Sequence, residues 1–342
     1  MFTASTPSPA DWDSYVDAHP RGHVLQRAAW GDLKASFGWS VERAALVDAQ
    51  GRIAAGAQIL FRALPAGLGS MAYIPFGPLA SDDAQYAALW PVIRRAAARH
   101  RAAFLKIEPG FAPLPDFTRW GFKPSPQTIQ PPNTILIDIT GDDETILARM
   151  NQGTRRKVRT PEKKDVRVLQ ATRADLPKFT AMLHTTGERK AFGVHAPEYY
   201  ERAFDLFVPD HAALFLAEHE GDALAGIFAF ATGSLALYLY GASSDVKRNL
   251  NGSYGAHWAA IQWARARGCT HYDLWGIPDE GEAALEAGFA DRSDGLWGVY
   301  GSKRGWGGEV RRTVGAYDLP LNPLLYAAYR LYLKFRTRSG GD

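Results

Sequence analysis

The sequence predicts an α/β chain of the α+β kind, in which two similar units each set a mixed, mostly antiparallel sheet against helices. Three observations carry this. One order of elements, β-β-β-α-β, occurs twice; each copy ends on a short helix that stops at Gly-Phe; and a proline-rich segment lies between them. In the first copy, residues 41–47, 53–64 and 71–75 read as strands, separated by Gly51 and by the turn at 65–69. An apolar-periodic helix over 85–99 and a strand over 104–108 follow. The second copy has strands at 213–218, 223–231 and 235–241, with turns at Glu220-Gly221-Asp222 and Thr232-Gly233-Ser234. A helix over 254–267 then leads to a strand over 271–275.

After each fifth strand comes a short helix ending in Trp120-Gly121-Phe122 or Ala287-Gly288-Phe289, where glycine permits a left-handed stop and the aromatic ring can fold back. Three antiparallel strands, a helix and a further strand resemble the centre of the Gcn5-related acetyltransferase (GNAT) fold, so the element order predicts a tandem of GNAT-like domains. The stretch 124–133, with Pro124, Pro126, Pro131 and Pro132, has few ladder donors and reads as the connector, which ends domain 1 at residue 133.

Composition bounds the function. With 342 residues, 46% of them hydrophobic and 22% charged, the chain can bury two cores. Its longest apolar run, 223–240, is broken by Gly226, Gly233 and Ser234, so no segment of transmembrane length is expected. Residues 1–13 are polar, without the basic start and apolar centre of a secretory signal, and a cytoplasmic location is expected. The single cysteine, Cys269, excludes an internal disulfide, supplies no metal-ligand spacing and reads as buried; no metal is expected.

Charge is concentrated locally. Net charge is only +3, yet Arg155, Arg156, Lys157, Arg159, Lys163 and Lys164 crowd one stretch opposed by Glu162 and Asp165. At the other end, 323–338 carries Leu324, Leu325, Ala328, Leu331, Tyr332 and Phe335 at helical spacing, with Arg330, Lys334, Arg336 and Arg338 towards its close. Such an amphipathic basic helix either docks on domain 1, the commoner fate of an apolar stripe, or rests on an anionic membrane surface.

Several phrases, taken in order, resemble the FemABX family of peptidoglycan-bridge aminoacyltransferases (nonribosomal peptidyltransferases). They are Leu25-Gln26 with Trp30-Gly31-Asp32-Leu33-Lys34 and Gly38-Trp39; Tyr73-Ile74-Pro75-Phe76-Gly77-Pro78; Leu105-Lys106-Ile107-Glu108-Pro109; and Thr154-Arg155-Arg156-Lys157-Val158-Arg159. Further along come Tyr238-Leu239-Tyr240-Gly241-Ala242-Ser243, Tyr272-Asp273-Leu274-Trp275-Gly276-Ile277, and Lys303-Arg304-Gly305-Trp306-Gly307-Gly308 before Gly315-Ala316-Tyr317-Asp318. The resemblance implies that residues 316–342 return to complete domain 1, which holds the precursor, while domain 2, residues 134–315, faces the tRNA. Larger members carry a coiled-coil arm in domain 2; residues 179–209 hold no sustained heptads, which implies the armless type.

The activity implied is transfer of an amino acid from aminoacyl-tRNA to the stem-peptide amine of a precursor, UDP-MurNAc-pentapeptide or lipid II, by a cytoplasmic monomer; peripheral contact with the inner membrane face is the alternative that the basic helix leaves open. The ester is already activated, so no cofactor is expected. The enzyme needs positioning and fixed positive charge more than a nucleophile of its own, and no Gly-x-Ser-x-Gly phrase occurs.

Site residues follow from the same resemblance. Lys303, among glycines that admit close backbone approach, takes the oxyanion; by composition alone it would be a solvated loop lysine. Glu108 accepts from or orients the attacking amine, against the plainer reading of an acid satisfied by a neighbouring arginine. Lys34 and Arg189 hold the precursor's diphosphate, and Tyr240 donates to a phosphate or sugar, although each is also of a type common on surfaces or in half-buried cores. Arg155, Arg156, Arg159 and Arg304 suit tRNA phosphates, with a solvated helix face as the alternative.

Three rivals stand beside this. An acyl-CoA N-acyltransferase would need a Gly-rich turn cradling pyrophosphate at a helix start, and in Arg248-Asn249-Leu250-Asn251-Gly252-Ser253-Tyr254-Gly255 the glycines are misplaced. A Fem-like transferase acting on an exopolysaccharide or a protein is the second. A non-enzymatic RNA- or glycan-binding module is the third.

Overall fold

The structure, a computed structural model, describes residues 2–190 and 193–338 and divides into two compact units: one of residues up to Gln130 together with those from Thr313 onward, the other Pro131–Arg312. Among the described residues, each unit contains one seven-stranded sheet. In the first, the strands run in space as Thr3–Ser5, Ser40–Val47, Ile53–Ala63, Ser70–Pro75, Ala102–Glu108, Tyr317–Pro320 and Lys123–Pro124. In the second they run as Glu309–Arg312, Asn133–Asp138, His271–Asp273, Leu235–Ser243, Asp222–Thr232, Ala212–His219 and Arg167–Gln170. All pairs are antiparallel except Ser70–Pro75 with Ala102–Glu108 and Leu235–Ser243 with His271–Asp273. The parallel pair falls at the same place in both, where the crossover helix separates two strands, so the repeat in the sequence is a repeat of the tandem GNAT-like fold.

Local chemistry sets these elements. Helix Asp83–Arg99 starts at Asp82, whose side chain accepts the Gln85 N–H, and buries Tyr86, Leu89, Trp90, Ile93, Ala96 and Ala97, one face at helical spacing. Its four large side chains contribute about 6–12 kcal/mol of burial before the entropy of ordering them. In the second unit, helix Gly252–Ala266 takes the same place and buries small residues, Gly252, Gly255, Ala256, Ala260 and Ala264, around Ile261. A Cβ on Gly252 would lie 2.7 Å from Leu224, and on Gly255 3.1 Å from Pro161. Those glycines therefore serve close packing of the helix within its own unit.

The first stop signal behaves as expected: Gly121 has φ +86° and Phe122 packs 4.8 Å from Trp90. The second does not. Gly288 remains in helix Glu282–Gly288, Phe289 continues in right-handed geometry, and the glycine is needed because a Cβ there would meet the Trp297 indole at 2.9 Å.

Residues from the far end complete the first sheet. Tyr317–Pro320 lies between Ala102–Glu108 and Lys123–Pro124, with Asp318 opposite Lys106. The two side chains form a buried ion pair, Lys106 Nζ to Asp318 Oδ1 at 2.8 Å; Ser125 and Tyr326 also donate to Asp318. Helix Pro323–Arg338 then docks through Tyr326 and Tyr329, whose rings lie 5.1 and 5.2 Å from that of Phe104. Cys269 is buried, with its thiol pushed up to about 11 by burial. Among the described residues, no helix is long and apolar enough to cross a membrane.

Candidate active site

Two strands part in the second unit, and Lys303 fills the gap. The parallel pairing of Leu235–Ser243 with His271–Asp273 ends at Leu237 opposite Asp273. Beyond it Trp275 turns into the left-handed region at φ +60°, unusual for a bulky residue, with its N–H donating to Asp273 Oδ1 at 2.7 Å. The carbonyls that follow receive a cation: Lys303 Nζ donates to Gly276 O at 2.7 Å and Trp275 O at 3.3 Å. It also lies 5.5 Å from the centre of the Tyr238 ring.

Lys303 is 8% exposed, at the end of helix Trp297–Lys303, and is not a solvated loop lysine. Burial lowers its pKa to about 7, against the pull of the Asp273 carboxylate. Asp273, 1% exposed, is raised to about 6 by burial, although Thr134 Oγ1, the Trp275 N–H and the Lys303 charge oppose the rise. Beside them His257 is driven down to about 3 by burial and then by the Lys303 charge. An ammonium thus stands poorly solvated at a strand opening, where a developing oxyanion would be stabilised most strongly.

A bulge aims the flanking tyrosines. Phe228 pairs with Tyr240 and Ala229 with Tyr238, which leaves Leu239 as an extra residue. Tyr238 accordingly faces His257, 4.6 Å between ring centres, while Tyr240 leaves by the opposite face to meet Tyr200 at 5.2 Å. The Tyr240 hydroxyl lies 3.2 Å from that of Tyr199 in this half-buried aromatic cluster. Tyr240 is therefore not beside Lys303.

The glycines after Lys303 have partners of their own. A Cβ on Gly305 would lie 2.1 Å from Thr154 Oγ1, and one on Gly307, at φ +77°, would lie as close to the Arg149 carbonyl oxygen. They stitch this loop to the start of helix Gln152–Lys163, where the Asn151 N–H donates to Gly305 O at 3.0 Å. That helix buries Thr154, Val158 and Pro161 and turns its cations outward. Arg159 pairs with Glu144; Lys157 reaches the Tyr254 hydroxyl at 3.3 Å, and Tyr254 stacks on Trp306. Arg155 and Arg156 have no side-chain partner among the described residues, and they occupy the half of the helix where the dipole disfavours cations. Arg304 turns to Glu286 and lies 4.0 Å from the Phe289 ring centre.

In the first unit, helix Ala28–Ala35 is locked to the sheet by Gln58, whose Nε2 donates to Arg27 O at 2.6 Å, and by Gly31, where a Cβ would meet Gln58 Oε1 at 2.6 Å. It carries Lys34, half-buried with its ammonium 4.7 Å from the Trp30 ring centre. Burial and then the nearby Arg62 charge lower Lys34 to about 8. Arg62 itself lies 5.3 Å from the Trp39 ring centre. Two cations that raise each other's energy are relieved by a shared anion.

Glu108 is buried, and its partners are Tyr73 and backbone N–H groups instead of an arginine. Tyr73 OH, the Ile129 N–H and the Gln130 N–H all donate to it, the last at 3.2 and 3.1 Å to its two oxygens. Gln130 Nε2 in turn donates to Tyr73 OH at 3.0 Å. Burial raises the carboxyl pKa in spite of these donors and of Lys106. The arrangement ties the end of the connector to the sheet and uses most of the carboxylate's acceptor capacity. Arg189 sits in the last turn of helix Leu176–Lys190, and its side chain lies outside the described residues.

Asp273, Lys106, Asp318 and Tyr73 stand in the phrases quoted above, but sequence reasoning gave them no role. The available signal was a charged residue inside an otherwise apolar strand, present at Asp273 and at Lys106.

The chain is 26% identical to the lipid II:glycine glycyltransferase of Staphylococcus saprophyticus and 25% identical to that of Staphylococcus aureus strain USA300, each alignment covering 92% of both proteins. The crystal structure of FemX superposes with a TM-score of 0.86 at 24% identity, covering 95% of this chain and 99% of that one. A tandem GNAT protein from the clavulanic acid biosynthesis pathway gives 0.51 at 14% identity, over 93% and 98%. The sequence model of the FemAB family matches residues 8–112, 121–224 and 218–334. Covered almost from end to end, the chain belongs to the FemAB family.

Proposed function

We propose that this chain is an aminoacyltransferase that moves an amino acid from aminoacyl-tRNA to the stem-peptide amine of a peptidoglycan precursor, lipid-linked or UDP-linked, building the interpeptide bridge. Family membership and the names of the relatives support the acceptor class. The observation that carries the chemistry is Lys303, a desolvated ammonium at the opening between two strands. In the reaction the amine attacks the ester carbonyl, and the oxygen anion that forms is met by Lys303. The intermediate collapses with the ribose oxygen as leaving group; the proton lost by the amine ends on that oxygen, and an amide replaces the ester. No cofactor is required, because the ester brings its own activation.

Lys34 with Arg62, and Arg189 by resemblance, take the precursor's phosphates; Glu108 fixes the connector, and Tyr240, on the face of the sheet away from Lys303, donates to a phosphate or sugar. Arg155 and Arg156, whose side chains have no partner among the described residues, take tRNA phosphates together with Arg159 and Arg304, which are held in ion pairs. The enzyme works as a monomer in the cytoplasm. An acyl-CoA reading is less well supported, because the helix start that would cradle a pyrophosphate has its glycines packed against Leu224 and Pro161.

The test is transfer of label from glycyl-, alanyl- or seryl-tRNA to UDP-MurNAc-pentapeptide or lipid II, with and without ribonuclease. Label entering the precursor only with intact tRNA is expected; transfer that instead depends on an acyl-CoA would overturn the reading.

A further inference from the structure

We propose that helix Pro323–Arg338 seats the protein on an anionic lipid surface, through a face that its docking leaves uncovered. Tyr326 and Tyr329 pack on Phe104. The opposite face carries Leu324, Ala328, Leu331 and Phe335, spaced by four, three and four residues so that they fall in one stripe along the helix. Leu324 is 82% exposed, Leu331 55% and Phe335 60%. With Tyr332, four of the nine exposed large apolar residues among the described residues belong to this one helix, a density that scattered surface residues do not reach.

Charge decides the occupant. The helix contains no acid, and Arg330 and Lys334 border one side of the stripe, both exposed. An apolar stripe edged by cations alone fits lipid headgroups of negative charge, with the apolar side chains entering the boundary and the long cationic ones remaining at the phosphates. This adds a partner to the function proposed above; its argument uses only the geometry of the helix.

The full chain should sediment with vesicles of phosphatidylglycerol and phosphatidylcholine, and much less with phosphatidylcholine alone. The exposed triple variant Leu324→Ser/Leu331→Ser/Phe335→Ser should lose at least about tenfold of that binding while melting like wild type and transferring to soluble UDP-MurNAc-pentapeptide at the same rate. Arg330→Gln/Lys334→Gln should weaken binding several-fold, as should high salt. Wild type remaining in the supernatant with anionic vesicles, or a triple variant that binds as wild type does, overturns the proposal. So does a wild-type dimer that the triple variant makes monomeric without any vesicle binding, which would assign the stripe to a second copy. Vesicle failure with transfer intact sinks this inference alone, and transfer failure with vesicle binding intact sinks the transferase reading alone.

Discussion

Replacing Lys303 by methionine, an unbranched side chain one atom shorter that removes the charge, should reveal how much the folded protein sacrifices to hold that ammonium. Burial lowers the pKa from 10.5 to about 7, so carrying the charged form below pH 7 costs about 5 kcal/mol. Between those two values the unfolded chain binds a proton at this site that the native protein does not. Wild-type stability therefore rises with pH across that window, and the methionine variant lacks the effect. From pH 7 to pH 9, the stability of the variant relative to wild type should fall by about 2 kcal/mol. The hydrogen bonds lost to Trp275 and Gly276 cancel in this comparison. If Asp273 moves further up once its cation is gone, the change has the same sign. Urea unfolding at both pH values, followed by circular dichroism, measures the quantity. A difference that stays constant, or grows in the variant's favour, would refute the burial argument and leave Lys303 an ordinary lysine.

Four further outcomes follow from other contacts. In single-turnover transfer, the rate should fall as pH rises through about 7, where Lys303 loses its proton, and Lys303→Arg, charged at all these pH values, should remove that limb if it retains activity. Lys106→Met should destabilise by about 3–5 kcal/mol by stranding Asp318, and Lys106→Met/Asp318→Leu should recover much of it, both read from urea midpoints. Arg155→Glu/Arg156→Glu should weaken aminoacyl-tRNA binding and reduce its salt slope by about 1.5–2, yet raise helix stability by a few tenths to 1 kcal/mol per site. Glu108→Gln, which cannot accept all the donors that now meet the carboxylate, should cost about 1–3 kcal/mol in thermal unfolding, and an unchanged melting temperature would remove its anchoring role.

What could be read from the sequence was local and periodic. The helix expected over 85–99 is Asp83–Arg99, and the strand expected at 53–64 is Ile53–Ala63, because apolar spacing and turn residues report directly on those elements. Gly288 misled because a glycine needed for packing against an indole is written like one needed for a left-handed turn. Long-range partnerships were illegible: nothing in the run around Lys106 points to Asp318, more than two hundred residues away in the chain. Lys303 was singled out by resemblance, but its burial depends on Tyr238, Trp275 and Gly276, which only the parting of two strands brings to it. The bulge at Leu239 was equally hidden, and it sends Tyr238 and Tyr240 to opposite faces where plain alternation puts them together.

The return of Tyr317–Pro320 into the interior of the first sheet has a consequence for biosynthesis. While the ribosome is still short of residue 317, the slot between Ala102–Glu108 and Lys123–Pro124 stays open, and the Lys106 amine has no counter-ion to let it enter the core. By contrast, all seven strands of the second sheet have been made by Arg312. The later-starting unit should therefore mature first on the nascent chain. Arrested chains ending after residue 312 had cleared the exit tunnel, but before 317 did, should protect residues 131–312 from protease and leave 2–130 cleavable.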